Sequence, residues 1–478
     1  MSGPARPTAP QDARVTRALA DAVGRPFWTD RTGVDLGPPG PPLRGTHTTD
    51  LLVVGAGFTG LWAAHLALDD DPGRDVLVVD ASGPGDGASG RNGGFCDASV
   101  THGAANGAAR WPGEYPTLHR LGLEHLDALV ADLDRHRIDA RWEPVGELTA
   151  ATEDWQLPEL AELASLLSEH GDDVELLDAP GTRAVVDSPT FVGGLHRRTG
   201  VGTLDPGRLV AGLRRSLAAR GARLADHTPV VSVRRAGAGV HVEGPGLSVS
   251  ARQVLLATNA YRGLLGPVRR AVVPVYDHVL VTEPLDRHRL DALGWAGRQG
   301  FADAANQFHY ARLTPDDRLL WGGYDAIYRF GGPTGPGVER NEATERLLYA
   351  QLLDTFPQLD GVRITHTWGG PIATTTRFCL TAGTRWDRRV GWCVGYTGLG
   401  VGASRFGAAT ALDLLAGRRT ERTELGLVRT APVPWPPEPL RWAGITLTRR
   451  AIARADRARG RRGPWLRLLD ALGLGFDS

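Results

Sequence analysis

The 478-residue chain contains no lysine; its 54 basic residues are all arginine. That absence excludes a lysine Schiff base, a phosphate-loop lysine and a lysine general base. Methionine occurs only as Met1. Cysteine is nearly as scarce. Cys96, Cys379 and Cys393 cannot build a disulfide framework, and their spacing matches no zinc or redox motif, so they read as small buried thiols in a reducing compartment. Neither sign of charge dominates: 54 acidic residues balance the arginines, so no bulk polyanion partner such as nucleic acid is implied. A charged-then-apolar leader is not evident. The longest apolar stretch, Leu51 to Leu68, has the 18 residues of a membrane span, but Gly55, Gly57, Thr59 and Gly60 interrupt it. A strand, a turn and a helix explain it better. No transmembrane segment is expected, and the chain reads as cytoplasmic.

What is present is a composition of 42% hydrophobic and 23% charged residues, ordinary for a folded chain of two or three domains. Residues 1–45 read as a Pro/Gly-rich tail, too stiff for a helix between Gly37 and Pro42, with Phe27 and Trp28 as an apolar anchor. Asp50 to Val54 and Val76 to Val79 are short apolar runs, hence buried strands, and Leu61 to Leu68 between them is helical. This order predicts a parallel sheet with a right-handed crossover. Helical spacing recurs over Glu124–Arg137, Pro158–His170, Leu204–Arg220 and Thr344–Phe356. Short strands are expected at Val230–Val233, Val240–Val242, Leu247–Val249 and Gln253–Ala257. From Val272 to Tyr324 the runs alternate without interleaved helices, which predicts an antiparallel sheet and a second domain. Val390–Val394, a glycine-rich turn and a helix over Ser404–Leu415 then resume the first.

The expected fold is α/β: a Rossmann-like domain with a parallel sheet (46–100, 200–265 and 360–420). An antiparallel-sheet, α+β domain (101–199 and 266–359) interrupts it. Residues 421–478 form a C-terminal extension. Arg449 to Arg462 holds seven arginines and one acid, followed by the amphipathic Trp465 to Leu469. It reads either as a helix docked on the body, with Leu474 and Phe476 as a plug, or as a membrane-surface helix.

The chemistry begins at Gly55-Ala56-Gly57-Phe58-Thr59-Gly60. Gly55 permits the tight turn, Gly57 lets backbone approach a pyrophosphate, and Gly60 lets helix and strand pack closely. Asp80, after the next strand, stands where a carboxylate accepts hydrogen bonds from a ribose, which favours NAD or FAD over a phosphorylated ribose. A second glycine loop, Ala88 to Gly94, follows directly. Leu256 to Tyr261 and Gly395 to Gly402 complete four ordered motifs.

In these motifs the chain resembles the D-amino-acid oxidase/glycine oxidase superfamily of FAD-dependent oxidoreductases, most closely its γ-glutamylputrescine oxidoreductase-type branch. The resemblance runs from about Phe27 to Gly417. It implies that Gly55, Gly57, Phe58, Thr59, Gly60, Asp80 and Ala81 hold the ADP half of FAD, with Val230 beside the adenine. Ser89, Gly90, Arg91, Asn92, Gly93 and Gly94 would follow the pyrophosphate and flavin ring. Thr258 and Asn259 would lie on a closing loop, and Gly369, Gly398, Leu399, Gly400 and Val401 would border the flavin. The final helix would aim its positive end at the ring. Relatives that tether the flavin use a cysteine after the Trp-Gly pair; Trp368 to Thr376 has none and Cys379 is out of register, so FAD is expected to be non-covalent.

The implied reaction is hydride transfer from an amine-bearing carbon to flavin N5, giving an imine that water hydrolyses. Tyr310, Phe308 and Arg312 share one strand face by period two and are the substrate-side candidates, with sheet packing as the alternative. Phe95, Cys96, Asp97 and Ala403 supply no cation to hold a carboxylate, which favours a small-molecule amine over an amino acid, although Arg91, Arg262 or Arg377 could serve. The electron acceptor is O2 or another oxidant. His278, His309 and His366 read as structural donors more than catalysts, and no metal site stands out. An amino-acid oxidase or dehydrogenase of the same fold, and a non-catalytic or RNA-modification flavoprotein, are the alternatives; the neutral charge argues against the last.

Overall fold

The computed structural model describes residues 9–31, 34–261, 263–323 and 325–475. Gly45–Val54 is the hub of the first sheet, paired in parallel with Val76–Val79 on one side and Leu247–Leu256 on the other. Arg223–Ala225 and Val390–Val394 extend it in parallel, and Thr381–Arg385 closes one edge antiparallel. The inner parts of the central strands, Leu51–Val54, Val76–Val79 and Val254–Leu256, are apolar and buried because both faces are covered, as parallel sheets require. The helices Phe58–Asp70, Pro206–Ala219 and Gly400–Ala416 pack into one core with Leu51, Val53 and Leu255. On the opposite face Leu52, Val54 and Leu256 pack with the Ser232–Ala236 and Gly239–Gly244 hairpin.

The second sheet has eight strands. Val273–Thr282, Leu319–Gly323 and His309–Leu313 are antiparallel neighbours, and Ile364–Thr374 pairs along Val273–Thr282. Beyond them lie Gly300–Asp303, Glu147–Ala151, Gly193–Arg197 and Val174–Asp178; one junction, Gly300–Asp303 with Glu147–Ala151, is parallel. The chain is thus a mixed α/β protein whose parallel and antiparallel sheets meet along a cleft.

Several expectations need correction. Residues 1–45 are not simply a tail: Ala9–Leu19 is a helix whose Val15 and Ala18, three apart and on one face, are buried in the second domain. Val23 bridges to the Ile364–Thr374 strand through hydrogen bonds of 2.9 Å to Thr365 and from Thr367. Residues 364–374 belong to the second sheet, not to the first domain's 360–420 block; Trp368 packs there with Phe27 and Trp28. The helix Tyr115–Arg135, placed with 101–199, buries Leu118, Leu126 and Leu129 in the first core. Leu247–Leu256 is one ten-residue strand rather than two, because its polar positions alternate outward in pairing with the hairpin. Among the described residues, no helix is long and apolar enough to cross a membrane.

The N-terminal helix is therefore part of the second core. Val15→Asp is expected to cost about 2–4 kcal/mol in urea denaturation, whereas a detached tail would tolerate it within about 0.5 kcal/mol.

Candidate active site

A cavity of about 1330 Å³ runs from the ends of the parallel strands to the second sheet. That exceeds the several hundred Å³ of a typical small-ligand site. At one end the Gly45–Val54 strand turns at Gly55, where φ is +109° and a Cβ would stand 2.6 Å from the carbonyl oxygen of Ala257. Gly60 is equally constrained, its Cβ position lying 1.9 Å from the Gly55 oxygen. This contact seats the helix against its own turn. The Phe58 amide, at the helix N-terminus, donates to Ser89 Oγ at 2.8 Å, and a Cβ on Gly57 would approach that hydroxyl to 3.0 Å.

Asp80 accepts the Ala56 amide at 2.6 Å on one oxygen and the Ser82 amide at 2.8 Å on the other. Each oxygen keeps capacity for a further donor. Burial raises its pKa against these two hydrogen bonds. Ala81, Val230, Thr258 and Asn259 share this end of the cavity, and Thr258 Oγ1 is buried with no hydrogen-bond partner among the described residues. Thr59 also faces the cavity, but its hydroxyl donates to Tyr396 Oη at 2.8 Å.

The second glycine loop is pinned from outside by two indoles. Trp28 Nε1 donates to the Asn92 carbonyl at 2.7 Å, and Trp368 Nε1 to the Arg91 carbonyl at 2.8 Å. Asn92 spends its side chain on the loop itself, donating to the carbonyls of Ala88 and Ser89 and accepting from the Gly94 amide. Arg91 is paired with Glu339 at 3.0 Å. Ser89, Arg91, Asn92 and Gly93 face the cavity. Gly90 and Gly94 do not line it: a Cβ on either would strike a carbonyl oxygen, that of Gly85 at 2.2 Å or of Leu204 at 2.4 Å. Gly60 is likewise a packing glycine. Gly369 also stays outside, against the Glu339 carbonyl, and its neighbour Gly370 takes the wall position.

At the far end Gly398, Leu399, Gly400 and Val401 all line the cavity. Gly398 has φ +93°, and a Cβ there would meet nothing within 4 Å, so main chain borders open space. The following helix, Gly400–Ala416, begins within this turn rather than at Ser404, and carries no side-chain cap. Its N-terminal amides are available to an electron-rich group. Buried Cys379 is not a wall residue, and burial lifts its thiol to about 11.

On the second-sheet side, Tyr310 lies in van der Waals contact with Gly93 and edge-on to Phe95, ring centroids 5.6 Å apart. Its hydroxyl donates to Asp277 Oδ2 at 2.5 Å. Burial raises both groups, Asp277 to about 6. Phe308 is a wall residue; Arg312 is not. Arg312 is buried under Trp28, with one guanidinium nitrogen donating to the carbonyls of Gly94 and Leu204 at 3.2 and 2.7 Å, so its charge holds the two domains together. His278, His309 and His366 are absent from the walls as well. His309 is clamped by Asp303 at 2.6 Å and stacks on Trp321.

Several polar wall residues were not among the site candidates read from the sequence. Asp277, with His278 beside it, interrupts the largely apolar Val273–Thr282 strand, which was a usable signal. Asp97 is paired with Arg197 at 2.8 Å. His102 is held near 4 by burial. Glu147 opens a strand with no motif around it, and its carboxyl has no hydrogen-bond partner among the described residues. Burial, then the nearby Asp97, pushes its pKa up to about 7. Every described arginine in the walls is already ion-paired: Arg91 with Glu339, Arg441 with Glu438, Arg449 with Asp325 and Arg462 with Asp470. Arg377 donates to Thr430 and Leu427 outside the cavity, and Arg262 lies outside the described residues.

A glycine turn feeding a helix, a carboxylate on the next strand and a long cavity ending at a second sheet define a dinucleotide-binding oxidoreductase architecture. The chain belongs to the FAD dependent oxidoreductase (DAO) family, whose match covers residues 50–414. It is 32% identical over 382 residues to gamma-glutamylputrescine oxidoreductase of Escherichia coli (strain K12), covering 78% of this chain and 85% of that protein. Its fold matches glycine oxidase from Geobacillus kaustophilus with a TM-score of 0.68 at 19% identity, over 80% of this chain and 99% of that one. L-proline dehydrogenase from P. horikoshii matches with a TM-score of 0.64 at 16% identity, over 79% and 96%. FAD is the cofactor. The open main chain at Gly398, the unpartnered Thr258 hydroxyl and the spare acceptor capacity of Asp80 fit an extended dinucleotide.

Glu147 makes a pH-dependent prediction. Its folded pKa lies above the ordinary 4.5, so between these values the unfolded chain releases the proton first and the fold loses stability as pH rises. Glu147→Gln is expected to be more stable than the parent near pH 8 by about 1–3 kcal/mol and indistinguishable near pH 4 in urea denaturation. The same difference at both pH values would contradict the assignment.

Proposed function

We propose that this protein is an amine oxidoreductase: it oxidises a primary or secondary amine with non-covalently bound FAD. When bound, FAD supplies the hydride acceptor, and the imine product hydrolyses in water. The observation that carries the amine reading is the charge of the substrate side. The wall arginines are neutralised by their own carboxylates, while Glu147 presents a carboxyl with no bonded partner. A carboxylate substrate finds no described free arginine there; an ammonium finds Glu147 and Asp277.

In this reading the Gly57 amide and the Ser89 hydroxyl, which the Phe58 amide holds in place, donate to the pyrophosphate beside the Gly55 turn, and Asp80 binds the ribose. Gly398 to Val401 place the helix N-terminus at the ring's electron-rich edge. Tyr310 and Phe308 position the substrate's reacting carbon, and the Tyr310 hydroxyl is kept neutral by its burial. Glu147 receives the ammonium on entry, and the amine must then lose a proton before it can be oxidised. The relation to gamma-glutamylputrescine oxidoreductase, whose name specifies an amine derivative, supports this choice over an amino-acid oxidase.

Anaerobic mixing of the yellow holoprotein with panels of amines and α-amino acids is expected to bleach the flavin band with amines only. Preference for α-amino acids would overturn the reading, and readmitted air tells whether oxygen restores the band. Glu147→Gln is expected to raise KM for the best amine about tenfold, an ion pair's worth of binding, with kcat changed less than threefold. A loss confined to kcat would contradict its role.

A further inference from the structure

The family match ends at residue 414, but the cavity wall continues past it. After Arg429 the chain runs along the end of the Ile364–Thr374 strand and the loop that follows it, where Thr376 Oγ1 donates to the Val433 carbonyl at 2.8 Å and Trp435 Nε1 to the Thr374 carbonyl at 3.0 Å. Farther on, Glu438 accepts from Tyr328 Oη at 2.6 Å and from the Gly331 amide at 3.0 Å. The Leu440–Arg457 helix then reaches the turn preceding Phe308. There Asp456 accepts the amides of Asn306 and Gln307 at 3.1 and 3.0 Å. Gly460 rests on the Trp155 ring. Finally Arg110, at the end of the Gly103–Arg110 helix, donates to the carbonyls of Gly473 and Gly475 at 2.7 and 2.8 Å, which fastens the far end of the arm. The arm is a strap fastened at both ends across the cavity's outer side.

Its cavity side carries aliphatic residues between paired arginines. Ile445 and Ile452, seven apart on one helix, and Leu469 on the next line the cavity. From the Leu157–Glu169 helix, Leu160, Leu163 and Leu166, at spacings of three, line the same cavity with Glu159 and Glu162 between them. The arm's cations at this wall are spent on Glu438, Asp325 and Asp470. The cavity therefore extends beyond its inner, carboxyl-bearing part to an outer part lined by aliphatic side chains of both the arm and the Leu157–Glu169 helix.

We propose that the C-terminal arm forms the outer wall of the substrate chamber and selects amines carrying an extended apolar substituent. The reacting end of that substrate rests on the amine reading above; the wall itself does not. The test is calorimetric binding of the n-alkylamine series from ethylamine to octylamine to the holoprotein, followed by flavin reduction with the same amines. Affinity is expected to tighten about threefold to fourfold per added methylene until the chamber is filled. The double variant Ile445→Ser/Ile452→Ser is expected to flatten that gradient while keeping its flavin absorbance. Asp456→Ala, which unfastens the arm without touching an aliphatic wall residue, is expected to weaken octylamine about tenfold and ethylamine less than twofold. Equal affinity across the series in the parent protein, or a gradient that the double variant leaves unchanged, would overturn the proposal. A gradient without reduction by any amine would support the wall and remove the amine-oxidation reading.

Discussion

The close approach of Gly60 to the Gly55 carbonyl, where no side chain can stand, is the contact on which the rest of the site depends. It folds the first helix back onto the end of its own strand and so delivers helix amides and the Asp80 carboxylate to one end of the cavity. A methyl group at Gly60 would push the helix away from the turn, and one at Gly55 would strike the Ala257 carbonyl. The anion-binding turn and the ribose-binding acid would then no longer face the same ligand. Rigid main chain, rather than charged side chains, does the positioning. That suits a protein with no lysine, in which every described arginine at the cavity is paired.

The two domains are joined at the same place by groups that resist sliding. The indoles of Trp28 and Trp368 hold adjacent carbonyls of the second glycine loop, and Arg312 caps the carbonyls of Gly94 and Leu204 from beneath. A buried guanidinium is costly unless its donors are used; here it bonds backbone from two segments and stacks on Trp28. The loop that would meet the flavin is thereby fixed to the substrate-side sheet, and Tyr310 is kept against Gly93. Cofactor and substrate positions are set by one shared network.

The first domain was legible because its signals are local. A turn that needs glycine, two fully apolar strands and an acid at fixed spacing lie within about thirty residues, and the Asp205 cap of the Pro206–Ala219 helix was equally readable. The second domain was less so. Its strands at Glu147, Val174 and Gly193 are only five residues long, and the Glu147–Ala151 strand is held on one side by Gly300–Asp303, far along the chain. Period-two alternation placed Tyr310 and Arg312 on one face correctly, yet could not say that the cavity ends between them. Glu147 carried no signal, since its unusual environment comes from burial and then from Asp97 on another element. The N-terminal helix was hidden by the glycine- and proline-rich stretch after it. The C-terminal arm's amphipathic pattern was visible, but that its aliphatic residues line the cavity follows only from where its ends are fastened.

The most direct measurement is a crystal structure of the flavin-loaded protein. Density for an extended dinucleotide is expected, its ribose on Asp80, its diphosphate at the turn of Gly55 and Gly57, and its ring between Gly93 and Gly398. Density lying elsewhere, or a cleft closed by side chains with the flavin absent, would contradict that arrangement.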